Sequence, residues 1–208
     1  MTQQSQRFVL LDRDGVINRR VVGGSVTGWD QFEFLPRALD ALRLLAQNGF
    51  AAIVISHQDA VGKKLMTVAA LESITRRFLT EVALAGGNIA QVYYCVHIPE
   101  DRCSCRQPEP GAIHRAQLDY SFVRQETYFV GDSLEDLRAA SSAGCPAILL
   151  RRDAFLEKPA SGECTLEIAS DLFEAANIIV ACPASIQPWQ QNPAPNATAE
   201  KFLQARHG

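Results

Sequence analysis

The sequence predicts an α/β fold with a central parallel sheet and helices on both faces. Along most of the chain, short β-rich apolar runs alternate with segments whose apolar residues recur at helical spacing. Three of the apolar runs lead into Asp12, Ser56 and Gly131–Asp132, and an open parallel sheet places its ligand beyond strand ends of this kind.

Phe8–Leu11 is an apolar run that ends at Asp12, as a buried parallel strand would. Residues 38–48 (ALDALRLLAQN) repeat apolar residues on one helical face, and Gly49 is a natural stop. Phe50–Ile55 reads as the second strand. Residues 66–85 form a long helical pattern closed by Gly86 and Gly87. Val92–Val96 reads as a third strand, and Pro110–Leu118 as a helix with proline in its first turn. Thr127–Val130 is a fourth strand, Glu135–Ala143 a helix ending at Gly144, and Ala147–Leu150 a fifth strand. Cys164–Ile168 reads as a sixth strand, with Ser170 or Asp171 capping a last helix to about Ala181. Residues 183–198 (PASIQPWQQNPAPNAT) are rich in Pro, Gln, Asn and Ala. We therefore expect one domain over 1–182 and a poorly ordered tail over 183–208.

A chain of 208 residues is long enough for one full hydrophobic core. With 47% hydrophobic and 21% charged residues it reads as globular. The net charge of −3 and the lack of any basic run give no footprint for nucleic acid. No window approaches the ~20 apolar residues of a membrane span, and the opening MTQQSQRFVLLDRDG does not read as a signal peptide. The expectation is a cytoplasmic protein with neither a nucleic-acid nor a membrane partner.

Asp12-Arg13-Asp14-Gly15 sets two carboxylates two residues apart just past a buried strand. Gly15 lets the chain curl, so that both point into one crevice. Two carboxylates there divide the work of a phosphatase: one attacks phosphorus, and the other protonates the leaving oxygen and later activates water. Alone, the same residues also suit a turn. Gly131-Asp132-Ser133-Leu134-Glu135-Asp136 follows the fourth strand and opens a helix. Its acidic residues suit Mg²⁺, which prefers oxygen ligands, although acidic residues favour helix starts in any case. Ser56 offers a hydroxyl for a phosphate oxygen.

Six cysteines are present, and Cys95, Cys103 and Cys105 fall within eleven positions, with His97 among them. Three thiolates and one imidazole match a closed tetrahedral zinc site of structural type. A closed site leaves no open position for chemistry. Cys145, Cys164 and Cys182 read as small buried side chains.

In this order the blocks resemble the haloacid dehalogenase (HAD) superfamily of phosphatases. FVLLDRDGVIN, the CVH…CSCRQPEPG loop and YFVGDSLEDLRAASSAG are similar to the D-glycero-D-manno-heptose 1,7-bisphosphate phosphatases and their relatives, the histidinol-phosphate phosphatases. The resemblance covers about residues 8–151, and more weakly continues to about 181. It implies a Rossmann-like HAD fold with a zinc-binding loop, no large cap domain and a monomer. It implies Asp12 as nucleophile and Asp14 as general acid–base. Mg²⁺ would be held by Asp12, the backbone carbonyl of Asp14 and Asp132, supported by Asp136. The structural Zn²⁺ would be held by Cys95, His97, Cys103 and Cys105. Ser56, His57, Gln58, Arg106, Gln107 and Lys63 are the candidates for binding phosphate and sugar, and the loop Arg20–Gly23 would face the substrate.

Three positions depart from the family pattern. Gln107 stands where the family has the lysine of CRKP, His57 and Asp59 stand in a motif that normally reads TNQSG, and Ser133 replaces a lysine found in some relatives. Losing one preorganised transition-state donor typically costs about 10²–10³ in rate. Lys63 or Lys64 is the expected compensating cation. The function expected is removal of one phosphate, the 7-phosphate, from a heptose 1,7-bisphosphate. The alternatives are a histidinol-phosphate phosphatase and a catalytically weak relative that acts as a binding protein.

Overall fold

The structure is a computed structural model and describes residues 6–151 and 166–182. Six strands make one parallel sheet: β1 (Arg7–Leu11), β2 (Phe50–His57), β3 (Ile89–Cys95), β4 (Phe129–Gly131), β5 (Ala147–Leu150) and β6 (Leu166–Ala169). Their order is β3-β2-β1-β4-β5-β6. The chain thus winds outward from β1 in one direction and then returns to wind outward from β4 in the other. The loops leaving β1 and β4 diverge, and a crevice opens between them.

Helices cover both faces. On one side are α1 (Ala38–Gln47), α3 (Val68–Leu84) and α6 (Leu172–Ala181); on the other are α4 (Gly111–Tyr120) and α5 (Leu134–Ala143). The strands divide their side chains by parity: Val9, Leu11, Ala52 and Val54 join the first core, and Leu10, Ile53 and Ile55 the second. Leu71, Ile74, Phe78 and Val82 give α3 its buried stripe. Ala139, Ala140 and Ala143 give α5 a small-residue face that lets it lie close to the sheet. Among the described residues no helix is long and apolar enough to cross a membrane, and no separate cap domain interrupts the sheet's connections.

The differences from the sequence reading lie at element ends. β2 runs two residues past its apolar stretch because Ser56 and His57 pair with Tyr94 and Cys95 of β3. That pairing depends on a distant segment, and local hydrophobicity is blind to it. β3 starts at Ile89 and β4 ends at Gly131 for the same reason. α3 begins after Thr67, whose hydroxyl accepts from the Ala70 N–H at 3.1 Å. Pro110 caps α4 from outside the helix. Asp171 caps α6, its carboxylate accepting from the Glu174 N–H at 2.7 Å. A four-residue helix, α2 (Asp59–Gly62), follows β2 and is too short to carry a periodic signal. Cys145 is buried as expected, whereas Cys182 is exposed at the end of α6, where it accepts from the Tyr128 hydroxyl. Cys164 and the 183–208 tail lie outside the described residues.

Candidate active site

Asp12 follows β1 and is tied to the neighbouring strand by its own N–H, which donates to the Val130 carbonyl at 3.0 Å. The chain then turns sharply. Gly15 adopts φ +93°, its N–H donates to the Asn18 carbonyl at 2.7 Å, and the Ile17 and Asn18 N–H groups donate to the Arg13 carbonyl at 2.8 and 3.1 Å. This closed turn brings the Asp14 carboxylate back beside Asp12. A Cβ on residue 15 would overlap the Asp132 carboxylate, so glycine is needed for packing as well as for its backbone angle.

Arg13 points the other way and is fully buried. Its guanidinium donates to both Asp14 carboxylate oxygens at 2.9 and 3.1 Å and lies 5.8 and 5.7 Å over the rings of Phe32 and Tyr94. Burial opposes its charge, but Asp14 and Tyr94 more than offset this and hold it protonated. Asp14 also accepts from Asn18 Nδ2 at 2.8 Å and from Gln58 Nε2 at 2.5 Å. Gln58 in turn donates to Ser56 Oγ at 3.2 Å. Its orientation is therefore set from three sides.

Across the crevice, β4 delivers Asp132 and α5 delivers Asp136. Ser133 caps α5, its Oγ accepting from the Asp136 N–H at 3.2 Å. The Asp136 carboxylate accepts from Ser133 Oγ at 2.7 Å, and from the N–H groups of Ser133 and Asp132 at 3.1 and 3.2 Å. Gln107 Nε2 donates to its other oxygen at 3.1 Å. Asp12, Asp132 and Asp136 each place a carboxylate oxygen within 4.8 Å of the others, an all-oxygen set that suits a hard divalent cation. Burial first, and then the neighbouring charges of Asp136, Asp14 and Asp132, push Asp12 well above the usual carboxylate range. Burial and the Asp132 charge lift Asp136 to about 6, against the hydrogen bonds from Ser133.

Arg20 reaches over this cluster. Its Nη2 lies 2.6 Å from Asp132 Oδ1, 3.2 Å from the Asp14 carbonyl oxygen and 3.9 Å from Asp12 Oδ2. Beside these groups is a cleft of about 350 Å³ whose walls include Ser56, His57, Asp59, Arg106, Gln107 and Ser133. Arg106 carries a buried nitrogen, Nη1, that makes no hydrogen bond among the described residues. A buried guanidinium nitrogen left unpaired is costly unless an anion meets it.

Not every candidate reaches the cleft in the expected way. The Lys63 ammonium sits 2.6 Å from Asp59, and neither Lys63 nor Lys64 is among the cleft's lining residues. His57 does line the cleft, but its Nε2 donates to the His97 carbonyl at 3.0 Å. Burial, with the charges of Arg106 and Lys63, lowers its pKa from the ordinary 6.5. Sequence reasoning missed the roles of Arg13, Asn18 and Arg20 around the carboxylates. The arginine between two aspartates at 13 was a visible oddity, but nothing local said which way it would turn.

The four zinc-ligand candidates converge. Cys95 Sγ lies 3.6 Å from both His97 Nδ1 and Cys103 Sγ, and His97 Nδ1 lies 3.2 Å from Cys105 Sγ. Zinc–sulfur bonds of about 2.3 Å put the edges of a tetrahedron at roughly 3.8 Å, close to these spacings. Hydrogen bonds from Cys95, and then from Cys103 and His97, pull the Cys105 thiol down to about 5 despite its burial.

A parallel sheet with Asp12, Asp14 and Asp132 at the switch point between β1 and β4 defines a HAD-type hydrolase, and the HAD-hydrolase-like family model matches residues 104–175. Among characterised proteins, the D-glycero-β-D-manno-heptose-1,7-bisphosphate 7-phosphatase of Pseudomonas aeruginosa is 33% identical over 147 residues, covering 71% of this chain and 82% of the relative. That of Escherichia coli K12 is 34% identical over 194 residues, covering 89% and 96%. A crystal structure of the D,D-heptose 1,7-bisphosphate phosphatase of B. bronchiseptica, complexed with magnesium and phosphate, superimposes with a TM-score of 0.78 at 28% identity, covering 84% of this chain and 98% of that one. The chain belongs to the heptose-1,7-bisphosphate 7-phosphatase family of HAD hydrolases.

Two predictions follow from this geometry. Gly15→Ala will push Asp132 away and strain the turn. It should cost about 1–3 kcal/mol in urea unfolding, and a catalytic group displaced by about 1 Å should cost on the order of 100-fold in phosphatase rate. The second concerns pH in magnesium-free buffer. The folded protein holds the Asp136 proton up to about 6, whereas an unfolded aspartate releases it near about 3.9. The folded state therefore binds more protons in that window, and this contribution to stability is lost as pH rises through it. Thermal melts should show wild type losing ground against Asp136→Asn between pH 4 and 6 and no further above about pH 7; a flat difference would contradict the assignment.

Proposed function

We propose that this chain is a magnesium-dependent phosphatase that removes the 7-phosphate of a heptose 1,7-bisphosphate through an aspartyl-phosphate intermediate. The observation that carries the reading is the pairing of Asp12 and Asp14 on one cleft wall with the unpaired Arg106 nitrogen nearby. Nucleophile, proton donor and anion receptor share one small polar space.

An Asp12 carboxylate oxygen attacks phosphorus in line with the sugar oxygen. The phosphorus–sugar oxygen bond breaks as Asp14 gives its proton to the leaving alkoxide. Asp14 then takes a proton from water, which attacks the aspartyl-phosphate, frees inorganic phosphate and restores Asp12. Arg13, Asn18 and Gln58 keep the Asp14 carboxylate turned toward the reacting atoms. Ser56 and Arg106 bind phosphate oxygens and substrate, and Gln107 holds Asp136 in place. Asp12, Asp132 and the Asp14 carbonyl, backed by Asp136, would hold Mg²⁺, which when bound offsets charge on the phosphoryl oxygens. Cys95, His97, Cys103 and Cys105 would hold a structural Zn²⁺ that fixes the loop bearing Arg106 and Gln107. The reading is of a cytoplasmic monomer whose domain spans 1–182.

Phosphate release should be measured with Mg²⁺ from both anomers of heptose 1,7-bisphosphate, fructose 1,6-bisphosphate and histidinol phosphate, with Asp12→Asn as the blank. Strong preference for one heptose anomer is expected, with Asp12→Asn at background. Preference for histidinol phosphate would move the assignment to that substrate, and no release above the blank would overturn it. Protein purified without added zinc should carry about one zinc per chain. Cys103→Ser should lower both zinc content and thermal stability, and folded wild-type protein with no zinc would refute the zinc site.

A further inference from the structure

The charge balance of the cleft is unusual. The carboxylates of Asp12, Asp14 and Asp136 line it together with those of Asp59 and Glu135, and Asp132 stands within 4.8 Å of Asp12 and Asp136. Gln107, which the resemblance matches to a lysine, gives Asp136 a neutral donor at 3.1 Å. Lys63 is paired with Asp59 at 2.6 Å. His57 Nε2 donates to the His97 carbonyl at 3.0 Å. Among the residues lining the cleft, positive charge comes from Arg20 and Arg106.

Of these two, Arg20 is the one set against the nucleophile. Its Nη2 touches Asp132 Oδ1 and the Asp14 carbonyl, and comes within 3.9 Å of Asp12 Oδ2. Those are the same three groups that would hold Mg²⁺. An Mg²⁺ ion held by these groups would stand at about 2.0–2.1 Å from its oxygens, and a guanidinium resting on the same groups would meet its positive charge at close range, so the two cations compete. Arg20 is free to yield: its side chain is 54% exposed, and it stands two residues beyond the closed turn that ends at Asn18. When it leaves the carboxylates it remains tethered next to Asp12, where the transferring phosphoryl group is attached. A planar guanidinium fork matches phosphoryl oxygens in geometry and in charge.

We propose that Arg20 is the phosphoryl-binding cation of this enzyme, displaced by Mg²⁺ from the carboxylates onto the transferring group, where it supplies the positive charge that Gln107 does not. The proposal rests on the phosphatase reading above, and it gives Arg20 two positions. Resting on Asp132 and Asp14, it holds the carboxylate cluster together. On the phosphoryl group, it offsets the charge that builds up as the bond to the sugar breaks. Arg20 then supplies from across the cleft the charge that is missing at position 107.

The test uses the full chain as wild type, Arg20→Ala, Arg20→Lys and the double variant Arg20→Ala/Gln107→Lys, with thermal melts to show that each is folded. Calorimetric titration with Mg²⁺ alone should show tighter binding to Arg20→Ala than to wild type, because the competing cation is gone. Titration of the Mg²⁺-saturated proteins with orthovanadate should show Arg20→Ala binding at least ~10-fold more weakly, the loss expected for one charged hydrogen-bonding group. Arg20→Lys should fall in between, since it keeps the charge and loses the fork. The kcat/KM of Arg20→Ala should fall about 10²–10³-fold, and the added Gln107→Lys should restore at least about tenfold of it. Vanadate binding to Arg20→Ala within twofold of wild type, or failure of Gln107→Lys to restore the rate, would overturn the proposal. The Mg²⁺ and vanadate titrations need no sugar substrate. A wild type that binds vanadate through Arg20 but hydrolyses none of the sugar phosphates would therefore sink the functional reading and leave this one standing.

Discussion

Asp12, Asp14, Asp132 and Asp136 crowd one crevice, and their mutual repulsion is the constraint that the surrounding structure answers. Two like charges about 4 Å apart repel by about 4 kcal/mol at an effective dielectric near 20, and three of these groups sit within 4.8 Å of one another. The chain meets this in three ways. Backbone and side-chain donors converge on Asp136 through the cap of α5. Arg13 is buried against Asp14 and the rings of Phe32 and Tyr94. And protons stay on Asp12 and Asp136 at a pH where free aspartates have lost theirs. A site that strains against its own charge in this way suits a divalent cation.

The sheet topology explains why the crowding is possible at all. β1 and β4 are neighbours in space although more than a hundred residues separate them, so Asp12 and Asp132 come from the two strands whose exit loops diverge. The crevice needs support from below. Phe32 stacks on Trp29 with ring centroids 4.9 Å apart and packs against Phe34 and Phe78, and this cluster forms one wall of the Arg13 chamber. Arg13 thus links the hydrophobic core to the carboxylate cluster: the same side chain packs against rings on one side and orients Asp14 on the other. Removing the charge of a buried, paired arginine leaves its partner uncompensated, which is generally far worse than never having built the pair.

Much of this was legible in the sequence. The strands of this sheet are buried on both faces and read as continuous apolar runs, and the helices between them carry a clear stripe. The polar residues that ended the apolar runs are the ones that now face the crevice, because in a parallel sheet strand ends and ligand positions coincide. The four zinc-ligand candidates were legible for a simpler reason: a loop of eleven residues cannot hide three thiols and an imidazole from one another. What the sequence left obscure depends on contacts between distant segments. The extension of β2 to His57 is set by β3. The direction taken by Arg13 is set by Tyr94, 81 positions away. The reach of Arg20 is set by Asp132, 112 positions away. Lys63 looked like a compensating cation because it follows the phosphate-loop motif, but one turn of α2 brings it back onto Asp59, and an i,i+4 ion pair satisfies it there.

The departures at 57 and 107 acquire a common meaning once the zinc loop is placed. His57 donates to the His97 carbonyl, so the end of β2 is fastened to the backbone of a candidate zinc ligand. Cys105, the last candidate ligand, is followed at once by Arg106 and Gln107, which line the cleft, and Gln107 meets Asp136 across it. The loop therefore touches both banks of the crevice: β2 through His57, and α5 through Gln107. A lysine at 107 would have brought charge to this span, whereas the glutamine brings only a hydrogen bond. The loop here braces the site more than it charges it. Beside Arg106, positive charge reaches the cleft from the β1 side, where Arg20 rests on Asp132 and the Asp14 carbonyl.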